Sequence, residues 1–106
     1  MVLGSAGGLR IVSSVLQTII NIIDFGMTLE QAVATPRFHV EGDKIILEKT
    51  VGSRAQNALK RLGHKIEIKS SGDLFFGGVQ AIAFEPSKNA FRGTADPRRD
   101  GAALAF

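Results

Sequence analysis

Residues 9–25 read LRIVSSVLQTIINIIDF, and this stretch decides the fold class. Val12, Val15, Leu16, Ile19, Ile22 and Ile23 recur at the spacing of one helix face. Arg10, Ser14, Gln17, Asn21 and Asp24 form the opposite, polar stripe, while Ile11 and Ile20 widen the apolar side. The pattern predicts an amphipathic helix of roughly 25 Å, at about 1.5 Å per residue. So broad an apolar face is expected to pack on a sheet. Its β-branched residues are mediocre helix formers, so tertiary burial has to hold it.

Working outward toward the C-terminus, Gly26 ends this helix as a C-cap. Thr28-Leu29-Glu30-Gln31 then reads as a capping box opening a second, short helix, which Pro36 stops. Phe38 to Val40 and Lys44 to Leu47 read as strands around a Glu41-Gly42-Asp43 turn. Ser53 to Leu62 is a third helix, with Ala55, Leu59 and Leu62 on one side and Gly63 past its end. Lys65 to Lys69 alternates isoleucine with charge, as a half-exposed strand does. Ser70 to Gly78 is a loop that carries Phe75-Phe76. Val79 to Glu85 is a buried strand, Pro86 to Asn89 a turn, and Ala90 to Thr94 the returning strand. The fold class that follows is α+β, with the long helix and shorter helices packed on a mainly antiparallel sheet.

Toward the N-terminus, Met1-Val2-Leu3 reads as the end of a strand. Strands are normally about five or six residues long, so the chain is expected to have been cut out of something larger. Gly4-Ser5-Ala6-Gly7-Gly8 leads from that strand into the long helix. Glycines adopt backbone angles that other residues avoid and let a ligand approach the main chain. A helix N-terminus adds unpaired N–H groups and partial positive charge. The turn is a candidate site for an anion or a developing oxyanion, with a plain tight turn as the alternative. It is not a P-loop, because Leu9-Arg10 stands where Lys followed by Ser or Thr is required, and its spacing does not fit the dinucleotide fingerprint. Arg10 is a candidate for attracting an anionic substrate there, or else a solvated residue of the first helical turn.

Composition narrows the function classes. The chain's 106 residues suffice for one small domain. Its 13 basic and 10 acidic residues give a net charge of only +3, scattered rather than gathered on one face, which argues against nucleic-acid binding. With no cysteine there is neither a disulfide nor a thiolate metal site. His39 and His64 lack ligand spacing and read as surface or strand-end residues. The apolar stretch at 9–25 is short for a span of about 20 residues and is broken by Arg10, Gln17, Asn21 and Asp24, so no membrane span is expected. Asp96, Arg98 and Asp100 are expected to form a buried ion-pair knot that anchors the C-terminal end. Phe75 and Phe76 are expected in a core or an interface.

Several segments resemble, in order and at sensible spacing, those of γ-glutamyltransferases. Gly4-Ser5-Ala6-Gly7-Gly8 followed by Arg10-Ile11 is similar to the family's Gly-Ser-Pro-Gly-Gly-x-Arg-Ile segment. Further matches are Val15-Leu16-Gln17, Asn21-Ile22-Ile23-Asp24-Phe25-Gly26-Met27, Gln31-Ala32-Val33, Pro36-Arg37-Phe38-His39, Gly78-Val79-Gln80-Ala81-Ile82 and Asp96-Pro97-Arg98-Arg99-Asp100-Gly101. The resemblance is thinnest between Glu41 and Phe75. Ala6 replaces the family's proline, and Ala105-Phe106 stands where many members end in Gly-Tyr.

The resemblance implies that residues 1–106 are the C-terminal portion of the family's small subunit, part of a four-layer αββα N-terminal-nucleophile hydrolase sandwich. In that family a threonine exposed by self-cleavage attacks the γ-glutamyl amide of substrates such as glutathione. Its own free amine acts as base, and the γ-glutamyl group passes to water or to an amino acceptor. The paired glycines that supply N–H groups to the oxyanion align with Gly7 and Gly8. The nucleophile and the residues gripping the substrate's α-amino and α-carboxyl groups lie upstream in the family, outside this sequence. Thr18, Thr28, Thr35, Thr50 and Thr94 are all internal, and Met1, like Val2 behind it, offers no nucleophilic side chain. The implied partners are the remaining large- and small-subunit segments and a γ-glutamyl substrate, with self-association of the chain a further expectation. No cofactor is expected. The rival reading is a separate, non-catalytic assembly or binding module of the same fold.

Overall fold

Two small sheets, rather than one, are laid out along an elongated body of 48 × 25 × 19 Å. The structure, a computed structural model, describes residues 1–104. Ala105-Phe106, aligned above with the family's Gly-Tyr ending, lie outside the described residues.

The first sheet has the order β1-β5-β6 and is antiparallel throughout, formed by Val2–Ala6 (β1), Gly78–Glu85 (β5) and Ala90–Ala95 (β6). The second has the order β2-β3-β4, from Phe38–Glu41, Lys44–Glu48 and Lys65–Lys69. Its β2-β3 pair is the expected hairpin, but β3 and β4 run parallel, because the helix Ser53–Arg61 (α3) carries the chain back between them. β1 is a five-residue strand of ordinary length, not a three-residue stub. It continues through Gly4, Ser5 and Ala6, which pair with Gln80, Val79 and Gly78. The turn between strand and helix therefore shrinks to Gly7, Gly8 and Leu9.

The long helix, α1, spans Arg10–Ile23, and Gly26 follows it with a left-handed φ of +63°. The short helix α2 spans Leu29–Ala34 and carries the expected capping box: Thr28 Oγ1 accepts the Gln31 N–H, and Gln31 Oε1 accepts the Thr28 N–H. None of the helices of the described residues is long and apolar enough to cross a membrane.

α1 packs on the first sheet as expected, but the middle of its apolar face is not what it buries there. Its buried residues are Ser14 and Thr18, from the polar side, while Val12, Leu16 and Ile23 are exposed. Small hydroxyl side chains let helix and sheet approach closely and satisfy themselves locally: Ser14 donates to Ser5 and lies near the Ile11 carbonyl, and Thr18 donates to the Ser14 carbonyl. The core beneath is small, made of Leu29, Val33, Val79 and Ala81, with Leu3, Ile22 and Ala83 packed at its margin. Half of the wide apolar face, Ile11, Val12, Leu16 and Ile23, stays exposed among the described residues, while Val15, Ile19, Ile20 and Ile22 are half-buried.

Candidate functional site

The turn that opens α1 is built by two glycines in backbone conformations that side chains rarely adopt, with φ of +141° at Gly7 and +61° at Gly8. Their situations differ. A Cβ on Gly7 would lie 2.8 Å from the Cα of Gly77, so the two backbones touch. A Cβ on Gly8 would meet nothing within 4 Å, and Gly8 is exposed. Leu9, at the N-cap, offers no capping side chain. The Arg10 and Ile11 N–H groups turn back onto the Gly7 and Gly8 carbonyls, at 3.3 and 3.1 Å. Among the described residues neither the Gly7 nor the Gly8 N–H donates a hydrogen bond. Two unpaired donors beside the positive end of a helix can receive an anionic oxygen.

Arg10 is not a freely solvated side chain. Its guanidinium carbon lies 4.4 Å from the centre of the Phe75 ring, and its Nε donates to the Phe75 carbonyl at 3.2 Å. Lys69 Nζ lies 4.9 Å from the same ring, so Phe75 ties the start of α1 to β4. Phe76 is fully buried, as expected of a core residue. His39 is half-buried on β2, with Nδ1 2.9 Å from Ser13 Oγ, whereas His64 is exposed beyond α3.

The expected ion knot exists with a different membership. Asp96 and Arg98 are buried, but Asp100 is exposed, and the missing members are Arg37 and Glu48. Arg98 Nη2 lies 2.6 Å from Glu48 Oε2 and Nη1 3.0 Å from Asp96 Oδ1, while Arg37 Nη2 lies 2.7 Å from Asp96 Oδ2. Most remaining valences go to the backbone, although the buried Arg37 Nε has no hydrogen-bond partner among the described residues. Arg98 donates to the carbonyls of Val33 and Thr35 at the end of α2, Arg37 to those of Val33 and Phe76, and the Gly72 and Val79 N–H groups donate to Glu48 and Asp96. Sequence reasoning missed both partners. Arg37 stood in view next to Pro36, and Glu48 ends an apolar strand, but only the fold brings them together.

Burial alone would raise both carboxyls. For Glu48 the Arg98 guanidinium and the N–H groups of Gly72 and Arg37 outweigh it, and for Asp96 the Val79 and Arg98 N–H groups and Arg37 do so. Both are held below the ordinary carboxylate range. Burial and the neighbouring Arg98 charge push Arg37 down, whereas bonds to Glu48 and Asp96 overcome burial at Arg98 and hold it up. Two positive and two negative buried groups thus fasten α2, β3, β5 and the loop before β5 together.

The comparisons with known proteins agree with this architecture. The gamma-glutamyltranspeptidase family profile matches residues 1–106. The chain is similar to the acylase ACY 1 proenzyme of Pseudomonas sp. (strain SE83), 41% identical over 104 residues, covering 98% of this chain and 18% of that protein. It is also similar to the glutathione hydrolase proenzyme of Bacillus subtilis (strain 168), 36% identical over 107 residues, covering 100% of this chain and 18% of that one. Among solved structures it matches an acivicin-inhibited gamma-glutamyltranspeptidase with a TM-score of 0.83 and 37% identity, covering 94% of this chain and 54% of that chain. The chain therefore spans under a fifth of the length of these curated relatives.

Proposed function

The chain belongs to the gamma-glutamyltranspeptidase family, and from that premise we propose that it is the C-terminal portion of an enzyme that cleaves γ-glutamyl amides and passes the γ-glutamyl group to water or an amino acceptor. The Gly7-Gly8 turn supplies N–H groups to the oxyanion that forms when a threonine hydroxyl, carried by the upstream part of the protein, attacks the amide carbonyl. As the carbonyl carbon becomes tetrahedral its oxygen gains negative charge. Donors already pointed at that position stabilise the charge without reorganising. The observation that carries the reading is the pair of unpaired glycine N–H groups at the exposed start of α1.

Substrate class has a second candidate, favoured by a specific observation: the acylase relative is 41% identical and the glutathione hydrolase relative 36%. The same turn would serve an enzyme that removes an acyl side chain, since the oxyanion is common to both reactions. Release of a chromophore from a γ-glutamyl anilide and from an acyl anilide by the complete protein separates the two.

Gly8→Ala in the complete enzyme tests the turn. The added methyl meets nothing in this chain, and its left-handed backbone cost is about 1–2 kcal/mol, small enough to leave a folded protein. Alanine keeps the N–H, but its methyl projects from the turn where the substrate carbonyl approaches and turns the N–H direction. The expected result is intact self-processing with kcat lowered by up to about 10²–10³-fold, the size of effect that follows loss of an oxyanion donor. Near-normal turnover places the oxyanion elsewhere.

A further inference from the structure

We propose that Arg37, Asp96 and Gly77 are positioning residues for the glycine turn: the buried charge knot holds the backbone on both sides of Gly77, and Gly77 in turn holds Gly7. The proposal rests on the reading of Gly7-Gly8 as the oxyanion site.

The link can be followed atom by atom. Arg37 Nη1 donates to the Phe76 carbonyl at 3.2 Å, immediately before Gly77. Asp96 Oδ2 accepts the Val79 N–H at 2.7 Å, just after Gly78. The same Asp96 oxygen pairs with Arg37 Nη2 at 2.7 Å, so one buried ion pair pins both ends of the Gly77-Gly78 segment. Between the pins Gly77 has a φ of +75°, and a Cβ there would lie 2.6 Å from the Ala6 carbonyl oxygen and 3.0 Å from Ser5 Oγ. From the other side, a Cβ on Gly7 would lie 2.8 Å from Gly77 Cα. Neither glycine can take a side chain without the backbone shifting: one on Gly7 would strike Gly77 Cα, and one on Gly77 would strike the Ala6 carbonyl that leads into Gly7. A displacement of Gly77 is passed directly to Gly7.

Buried ion clusters give little net stability over an apolar filling of the same volume. What this cluster provides and a greasy plug would not is directed bonds to named backbone atoms. Catalytic donors must be held to within about 0.5 Å of their working position. A misplacement of about 1 Å from a distant change can cost about 10²-fold in rate. The knot is buried behind the turn, so its members would act on kcat through the backbone.

The test is steady-state kinetics of the complete enzyme on a γ-glutamyl anilide, with the self-processed fraction and Tm measured for every variant. Gly77→Ala is expected to lower kcat about 10- to 100-fold while KM moves less than about threefold. Gly63→Ala is the control: it has a φ of +87° with nothing within 4 Å of a Cβ, and wild-type kcat is expected. Gly8→Ala reads the underlying site independently. Loss of kcat in Gly8→Ala with wild-type kcat in Gly77→Ala overturns the positioning link alone. Unchanged kcat in Gly8→Ala overturns the oxyanion reading and the link with it. If Gly77→Ala is not recovered folded and processed, Arg37→Lys reads the same connection, because it keeps the charge and gives up the two-armed grip on Asp96 and Phe76. A fall in kcat of at least about fivefold at constant KM supports the proposal. A lowered Tm with wild-type kcat marks the knot as structural only and overturns it.

Discussion

Ser14 Oγ donates to Ser5 Oγ at 2.9 Å across the seam between α1 and β1, so the helix is fastened to the sheet by its polar stripe. Ser14 is fully buried there. Ser14→Leu is expected to overpack the seam and destabilise the chain by about 1–3 kcal/mol. Leu16→Ser, at an exposed position on the same helix, is expected to cost no more than about 0.5 kcal/mol. Urea unfolding of the two variants measures both. A helix seated by its Ile/Val face would give the reverse order.

The uncovered face of α1 leads to a second expectation. Val12, Leu16 and Ile23 are 74%, 54% and 68% exposed, which is more apolar surface than a solitary small domain ordinarily shows along one helix. β1 and β6 also each leave one edge of the first sheet unpaired among the described residues. The isolated chain is expected to self-associate or to bind an apolar dye. Leu16→Ser combined with Ile23→Ser should reduce both. Light scattering that finds a dilution-independent monomer without dye binding speaks against the idea.

The elements were largely legible in the sequence. The helices, the capping box and the hairpin depend on contacts a few residues apart, where periodicity and capping chemistry decide. The orientation of α1 was not, because an amphipathic pattern says which side is apolar without saying whether this chain or another segment covers it. Ser14 and Thr18 reversed the outcome by offering a thin, self-satisfied seam. The parallel β3-β4 pair and the knot partners Arg37 and Glu48 were hidden for a related reason: each depends on groups far apart in sequence. The glycine turn was visible, but its extent was not. Pairing of Gly4, Ser5 and Ala6 with β5 follows from strand register, which the N-terminal residues alone do not reveal.

The knot sets an acid dependence. Asp96 and Glu48 have folded pKa values below their ordinary ones. Their stabilisation is therefore complete above the unfolded carboxylate range and is lost as pH falls through the lower, folded values. Stability measured by urea midpoint should hold from neutrality to about pH 4–5 and fall below that. Asp96→Asn should flatten the acid limb. It should also cost about 3–5 kcal/mol at neutral pH by leaving buried arginine charge uncompensated. An unchanged acid limb in Asp96→Asn would assign the dependence to other carboxylates.

The isolated chain is expected to have no transferase activity. Amide cleavage needs a nucleophile, a base and a charge-stabilising site in one geometry. The threonines of this sequence are internal, so none carries the free amine the family mechanism uses as base. The hydroxyls of Thr18 and Thr35 are engaged with the Ser14 and Gln31 carbonyls, and that of Thr28 with the Gln31 N–H. Among the described residues Ser13 is the one hydroxyl seen beside a base, 2.9 Å from His39 Nδ1, but it also donates to the Arg10 carbonyl at 3.1 Å, and the imidazole neighbours the Phe75 ring with no carboxylate hydrogen-bonded to orient it. What remains is the glycine turn, and an oxyanion site without an attacking group has no intermediate to stabilise. The measurement is chromophore release from a γ-glutamyl anilide by the purified chain, with and without glycylglycine, after mass spectrometry has shown the upstream part of the enzyme to be absent. Background release is expected. Turnover that scales with chain concentration and vanishes in Ser13→Ala would move the chemistry to the Ser13–His39 pair.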